Sequence, residues 1–228
     1  MGKKKPMTRM AWAKGKDMTI INIAQPLSNA TWSQTTTVTV SRGNGDLAAV
    51  KVSGNYSLAE WLNWQVGTRR EGTMNAKEYV AANKQARNAD KAMAGWCSFA
   101  YYINKHRNEE NWQGSNIVVL DADAKHGKNE SAAFSFNANE LRKRLDGLQF
   151  IALPTHSYTD EIPRWRIVIT LSEALTNRDE FGAIARHLAS RLDGYVDPRS
   201  YTPEQLWFSM SAPKGEFQRH VDRILVGE

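Results

Sequence analysis

The second half of the sequence alternates strand-like and helical hydrophobic patterns in a fixed order. Apolar runs or alternating residues predict four strands, at residues 117–120, 148–156, 164–171 and 205–210. Asn137 or Asn139, and later Thr176 with Asp179, begin two segments whose apolar residues recur at the helical period. The resulting order, β-α-β-β-α-β, is typical of a ferredoxin-like or RNA-recognition-type unit. We therefore expect a sheet with the strand order 4-1-3-2, in which the first two strands are parallel and the other two run against them.

The first half of the sequence has weaker patterns and predicts an α/β (α+β) lobe. Residues 35–40 and 47–52 flank an Asn-Gly pair, which is a strong hairpin signal. Ser57 and Glu60 match a capping box that opens a helix, and residues 76–94 are typical of a helix or a helix plus loop. We expect a flexible basic arm at residues 1–18, an N-terminal lobe at 19–115 and a catalytic lobe at 116–228, together forming one composite domain.

Composition and charge restrict the class of protein. The single Cys excludes a disulfide framework and a multi-Cys zinc site, so no zinc is expected, and it fits the reducing cytoplasm. No apolar run is long enough to span a membrane, so we expect no membrane partner. The formal net charge of +6 equals the six basic residues within positions 1–16, which contain no acid. The basic excess is therefore a candidate tether to a polyanion rather than a property of the whole chain.

Polar residues gather at one predicted edge of the sheet. With the expected topology, the ends of strands one and two meet the starts of strands three and four. Carboxylates there suit Mg²⁺ or Mn²⁺, and guanidinium and imidazole groups suit phosphate oxygens. We therefore expect a metal-dependent phosphoryl-transfer site for a triphosphate on the open face of the sheet. The residues concerned are Asp121, Asp123, His156, Arg164, Arg166 and Asp197.

Each of these residues also has an ordinary structural explanation. Asp121 and Asp123 could start a loop or cap a helix, the arginines could be exposed sheet charges, and Asp197 before a proline is a common turn. Catalysis is favoured over these explanations only because all six residues are expected at the same edge of the sheet. Two alternatives stay open: a non-catalytic replication or origin DNA-binding module that keeps the fold, and another metal enzyme with an Asp-x-Asp motif.

The same residues resemble the motifs of the archaeo-eukaryotic primase superfamily, in its primase-polymerase branch of phages and plasmids. The apolar strand ending in Asp121-Ala122-Asp123 resembles the first motif, and Val196-Asp197 resembles the third. Pro154-Thr155-His156 is similar to the second motif, a small residue, any residue and His, although Pro replaces the usual Ser or Gly. The resemblance covers residues 112–213.

The resemblance implies a two-lobed primase-polymerase core that synthesises and extends primers in phage or plasmid DNA replication. It implies that Asp121, Asp123 and Asp197 hold two Mg²⁺ or Mn²⁺ ions, and that His156 with Arg164 or Arg166 binds the triphosphate. The implied partners are single-stranded DNA, an NTP or dNTP, and a separate replicative helicase, in a bacterial, archaeal or virus-infected host cell. Lys125 and Ser200 are candidate contacts to phosphate or template.

Overall fold

The computed structural model describes residues 36–43, 47–92, 94–122 and 136–227. The basic arm, the Asn44-Gly45 turn, Asp123 and Lys125 lie outside the described residues. Within the described ranges, no helix is both long and apolar enough to pass through a membrane.

Two four-stranded sheets, each with only antiparallel neighbours, form the framework. The first sheet has the order β2-β1-β3-β7, with β1 (Thr37–Gly43), β2 (Val52–Ser57), β3 (Trp96–Ser98) and β7 (Trp207–Phe208). The second has the order β4-β6-β5-β8, with β4 (Ser115–Ala122), β5 (Phe150–Pro154), β6 (Trp165–Leu175) and β8 (Leu225–Gly227). The mixed α+β class expected from the sequence is therefore observed.

Six α-helices connect the strands of the described chain. They are α1 (Leu58–Gly67), α2 (Ala76–Ala81), α3 (Lys84–Ala92), α4 (Ala138–Arg144), α5 (Arg178–Ser190) and α6 (Phe217–Asp222). Capping explains several of their starts. Ser57 forms a complete capping box with Glu60, as the sequence predicts. Asn137, one of the two predicted caps, forms another with Glu140. The predicted start of α5 at Thr176 is wrong by one residue, because the side chain of Asn177 accepts the hydrogen bond from the Glu180 amide.

The predicted strand order is correct for three strands and wrong for the fourth. β6 lies between β4 and β5, which reproduces the 1-3-2 part of the expected order. The predicted fourth strand does not pair with β4; it contains β7, which pairs with β3 in the first sheet. A 3₁₀ turn at Pro198–Tyr201 occupies the place beside β4, where the Ser200 hydroxyl accepts a hydrogen bond from the Asp121 amide. The edge beside β5 is closed instead by β8.

The second strand of the predicted hairpin is also misplaced. We expected residues 47–52, whereas β1 pairs with β2, from Thr37 opposite Ser57 to Arg42 opposite Val52. The alternating segment before β2 is a connection that bonds elsewhere. Its Ala49 forms a bridge with His106, beyond β3, and so is not available to extend the hairpin.

Both faces of the second sheet are covered, so the expected open face is wrong. One face, with Leu120 and Ile167, packs in a core that includes Leu141 and Ala185 from α4 and α5. The other face packs in a second core with α1 and the first sheet, because its residues are also apolar. Those residues are Ile117, Val119, Ile151, Leu153 and Val168. The candidate site consequently lies at one edge of the sheet, where Asp121 and Arg166 face each other at the ends of β4 and β6.

Candidate functional site

A cavity of about 430 Å³ opens at the end of β4. Four of the residues predicted from sequence, Asp121, His156, Arg166 and Asp197, line this one cavity. Two cations that the sequence analysis missed also line it: Lys91 on α3, and Arg199 in the 3₁₀ turn. The cavity therefore combines carboxylates with three basic side chains.

The two carboxylate residues are joined through their backbones. The Asp197 amide donates a hydrogen bond of 2.9 Å to the carbonyl of Asp121, although 76 positions separate them along the chain. The Asp121 amide in turn donates to the Ser200 hydroxyl at 3.0 Å. Ser200 is only 1% exposed, so the structure places this candidate phosphate contact beneath the Asp121 backbone. The turn thus holds Asp197 at a fixed position beside the end of β4.

Arginines neutralise both carboxylates. Arg166 lies opposite Asp121 in the β4–β6 ladder, with Nη2 3.7 Å from Oδ2 of Asp121, and it also donates to the carbonyl of Phe208. Arg199 binds Asp197 through Nε at 2.9 Å and Nη2 at 2.5 Å. Its hydrogen bonding to Asp197 raises the pKa of Arg199 against the opposing effect of burial, and the charge of Asp121 adds to the rise. The positive charge of Arg199 therefore interacts with both carboxylates.

The two members of the Asp197–Arg199 pair differ in solvent exposure. The Asp197 side chain is 7% exposed, whereas that of Arg199 is 72% exposed. Because the carboxylate is buried, this is not a surface ion pair, and loss of Arg199 would leave the charge of Asp197 uncompensated unless another cation replaced it. Asp197 is thus a buried carboxylate whose partner guanidinium lies largely in solvent.

His156 is buried and held by protein atoms on both sides of its ring. Its Nδ1 lies 2.9 Å from the Ser211 hydroxyl and its Nε2 lies 3.3 Å from Oδ2 of Asp90. Burial lowers the pKa of His156 to about 4, although the charge of Asp90 opposes the change and that of Lys91 assists it. The ring is therefore neutral at neutral pH.

Asp90 on α3 is a site residue that the sequence analysis missed. Burial alone would raise the pKa of its carboxyl, but hydrogen bonds donated by Thr73 and the nearby His156 outweigh this effect and lower it. The sequence signal is faint: Asp90 is the only acid in α3, whose other charged residues are all basic. Nothing local indicates that this acid faces inwards.

Arg164 lies on the far side of His156, apart from the main cavity. It lines a smaller cavity of about 150 Å³ together with Arg87, and His156 and Ser157 contribute to both cavities. The two predicted arginines therefore line different cavities, and only Arg166 lines the main one.

The structure describes two of the three predicted metal ligands, Asp121 and Asp197. No group of three or more His, Cys, Asp or Glu residues that could hold a metal occurs within residues 36–43, 47–92, 94–122 and 136–227. Asp121 and Asp197 are there, and Asp123 lies outside these ranges. The two carboxylates line one cavity and supply the oxygen ligands that Mg²⁺ and Mn²⁺ prefer, so their chemistry fits a hard divalent cation.

Comparison with protein families defines the class of protein. Residues 28–224 match the model of the VapE N-terminal domain. Because the match covers most of the chain, this protein belongs to the VapE N-terminal domain family, a family found in phage and plasmid replication proteins. A comparison with curated proteins and with solved structures found no match. The expected link to phage or plasmid replication is thus supported at the level of the family.

Proposed function

We propose that this protein is a template-directed nucleotidyltransferase, a DNA primase-polymerase that synthesises and extends primers in phage or plasmid replication. The observation that supports this most strongly is the backbone hydrogen bond between Asp197 and Asp121, whose carboxylates line one cavity. Lys91, Arg166 and Arg199 on the same cavity provide the positive charge that a triphosphate requires. Carboxylates beside a cluster of cations are the arrangement that metal-assisted phosphoryl transfer uses.

Asp121 and Asp197, with Asp123 as predicted from the sequence, would hold Mg²⁺ or Mn²⁺. When bound, the metal would lower the pKa of the attacking hydroxyl and neutralise charge developing on the phosphate. The chain's own residues bind and orient the substrate. Arg166, anchored on the Phe208 carbonyl, presents a fixed guanidinium, and the largely exposed Arg199 would bind a phosphate oxygen.

A primer-synthesis assay on circular single-stranded DNA tests this proposal, with NTPs and dNTPs supplied separately and with Mg²⁺ or Mn²⁺. Asp121→Asn and Asp197→Asn keep the side-chain volume and remove the charge. We expect each to lower nucleotide incorporation by about 10²–10³-fold, as removal of one electrostatic transition-state contact typically does. Asp146→Asn is the matched control, because Asp146 is exposed and lies outside the cavity. Undiminished incorporation by Asp121→Asn would refute the proposal.

The ion pairs favour one second candidate, a non-catalytic DNA-binding module. Both carboxylates already have arginine partners, so they do not depend on a metal for neutralisation. Such a module binds single-stranded DNA in a salt-dependent way but incorporates no nucleotide with any metal. Binding of Mn²⁺, measured by electron paramagnetic resonance, separates the candidates: the enzyme binds Mn²⁺ and loses it in Asp197→Asn, whereas the module binds none.

A further inference from the structure

Asp90 is held in one orientation by its surroundings. Its side chain is 1% exposed, and Oδ1 accepts two hydrogen bonds from Thr73, from the amide at 2.6 Å and from the hydroxyl at 2.8 Å. A Cβ atom at Gly72 would lie 1.9 Å from Oδ2, so only glycine allows the backbone to pass this close to the carboxylate. With Oδ1 committed to Thr73, Oδ2 is left to face His156.

Oδ2 of Asp90 and Nε2 of His156 are buried atoms that face each other. Neither has a hydrogen-bond partner among the described residues, and their separation of 3.3 Å is an electrostatic contact rather than an aligned hydrogen bond. The Tyr79 ring packs on the imidazole, 4.8 Å between centroids, and limits its rotation. The other ring nitrogen, Nδ1, lies 2.9 Å from the hydroxyl of Ser211 on the cavity wall.

We propose that Asp90 is a positioning residue that fixes His156 in the Nε2–H tautomer and thereby makes the Ser211 hydroxyl a hydrogen-bond acceptor towards the cavity. A carboxylate requires the nitrogen that faces it to carry the proton. Nδ1 then has only a lone pair, so the Ser211 O–H must donate to it. The remaining lone pairs of Ser211 are left for a ligand in the cavity. The pKa directions agree with these states, because they keep Asp90 ionised and His156 neutral at neutral pH.

This arrangement assigns a class of substrate group to the His156 side of the cavity. An acceptor oxygen binds a donor, such as a sugar hydroxyl, and repels a phosphate oxygen. The phosphates of a nucleotide would then lie on the side of Lys91, Arg166 and Arg199. This step rests on the proposed function, whereas the tautomer of His156 does not. This placement of the phosphates differs from the role expected from the sequence, in which His156 itself contacts the triphosphate.

Asp90→Asn provides a sharp test, because the Thr73 hydrogen bonds dictate how the new amide must lie. The amide oxygen must replace Oδ1 to accept from the Thr73 amide and hydroxyl, so the NH₂ group replaces Oδ2 and points at Nε2. A donor at that position requires a lone pair on Nε2. The variant should therefore invert His156 to the Nδ1–H tautomer and turn Ser211 into a donor towards the cavity.

Long-range ¹H–¹⁵N correlation spectra of the full chain at pH 7 report the tautomer directly, with the His156 signals identified by their absence from His156→Gln. We expect Nε2–H in the wild type and in the exposed-site control Asp146→Asn, and Nδ1–H in Asp90→Asn. A wild type with Nδ1–H or a doubly protonated ring, or an Asp90→Asn variant that keeps Nε2–H, overturns the proposal. Should Asp90→Asn fail to fold, Ser211→Ala decides with the wild type. If His156 in Ser211→Ala keeps its proton on Nε2, control of the tautomer by Asp90 is supported. If the proton moves to Nδ1 in this variant, that control is refuted.

Kinetics then test the assigned substrate group. Inversion of the tautomer points the Ser211 O–H instead of a lone pair at the cavity. Where the bound group can only donate, one hydrogen bond is lost and KM for the nucleotide should rise by up to about tenfold, with a smaller change in kcat. An inverted tautomer with an unchanged KM overturns the acceptor role of Ser211. Absence of incorporation by the wild type counts against the proposed function alone, because the spectra need no substrate.

Discussion

Protonation of His156 should make the fold less stable as the pH falls from neutral towards 5. Burial lowers the pKa of His156 to about 4 from its ordinary 6.5, and its side chain is only 3% exposed. Between these two pH values the unfolded chain binds a proton that the folded protein excludes, so acid favours unfolding. The stabilisation is complete above about pH 6.5 and is lost progressively as the pH falls to about 4.

The expected magnitude follows from the difference between the folded and unfolded pKa. Over the full range it corresponds to about 3 kcal/mol, of which about 2 kcal/mol is lost between pH 7 and pH 5. Carboxylates whose pKa is lowered, such as Asp90, also stabilise the fold, but this stabilisation is lost only below about pH 4.5. It therefore does not change between pH 7 and pH 5. The pKa of His220 is also lowered by burial, but His220 is present in both proteins to be compared, and its effect cancels in the difference.

Urea unfolding followed by far-ultraviolet circular dichroism at pH 7, 6 and 5 measures this effect. The free energy of unfolding of the wild type should fall by about 2 kcal/mol more than that of His156→Gln over this interval. His187→Gln, at an exposed position of α5, should behave as the wild type does. Comparing pH-dependent changes removes any packing defect of the variant itself. Parallel curves for wild type and His156→Gln would show that the imidazole is not excluded from protonation, and the reasoning from burial would fail.

Two further predictions concern the support of Asp121 and the basic arm. Ser200→Ala removes the acceptor of the part-buried Asp121 amide and should lower the free energy of unfolding by about 1 kcal/mol in urea titrations; a change indistinguishable from that of Ser172→Ala, at an exposed position, would show that this hydrogen bond contributes little. Deleting residues 2–16 removes six basic side chains and should weaken single-stranded DNA binding, reducing the slope of log affinity against log salt by up to about 4. An unchanged slope in filter-binding assays would exclude a role for the arm.

Hydrophobic periodicity predicted the parts of the fold that have a long buried face. β4, β6 and α5 repeat their apolar residues over enough positions to show a period. β8 has only three residues, too few to show any period, although it closes an edge of the sheet. Its Gly227 fits because a Cβ there would lie 2.0 Å from the Phe150 ring. Such a close approach depends on tertiary packing and has no signature in the local sequence.

The choice between two sheets explains the error at the fourth strand. Residues 205–210 are apolar enough for a strand, but their composition does not specify a partner. β3 pairs with β1 through three residues on one side and has its other side left for β7. At β4, the Asp197–Ser200 turn bonds to the Asp121 backbone and leaves no room for another strand at that point. Strand partners are therefore decided by competition for backbone hydrogen bonds, which a sequence pattern does not describe.

The candidate site shows the same division between local and tertiary information. Asp121, His156 and Arg166 could be found because strand ends bring them to one edge. Asp197 lies at the same edge because of the 3₁₀ turn and its backbone hydrogen bond to Asp121, and not because of the predicted fourth strand. Asp90 could not be found, because it reaches the site through the packing of α3.

Helix α3 also explains why the site needs the first half of the chain. Asp90 and Lys91 are neighbours on this helix, and successive helical positions point in different directions. One side chain is therefore buried behind His156, while the other lines the cavity with Asp121 and Asp197. A single element thus supplies both the anion that sets the imidazole tautomer and a cation for phosphate. The position of α3 therefore determines where both the Asp90 carboxylate and the Lys91 ammonium lie.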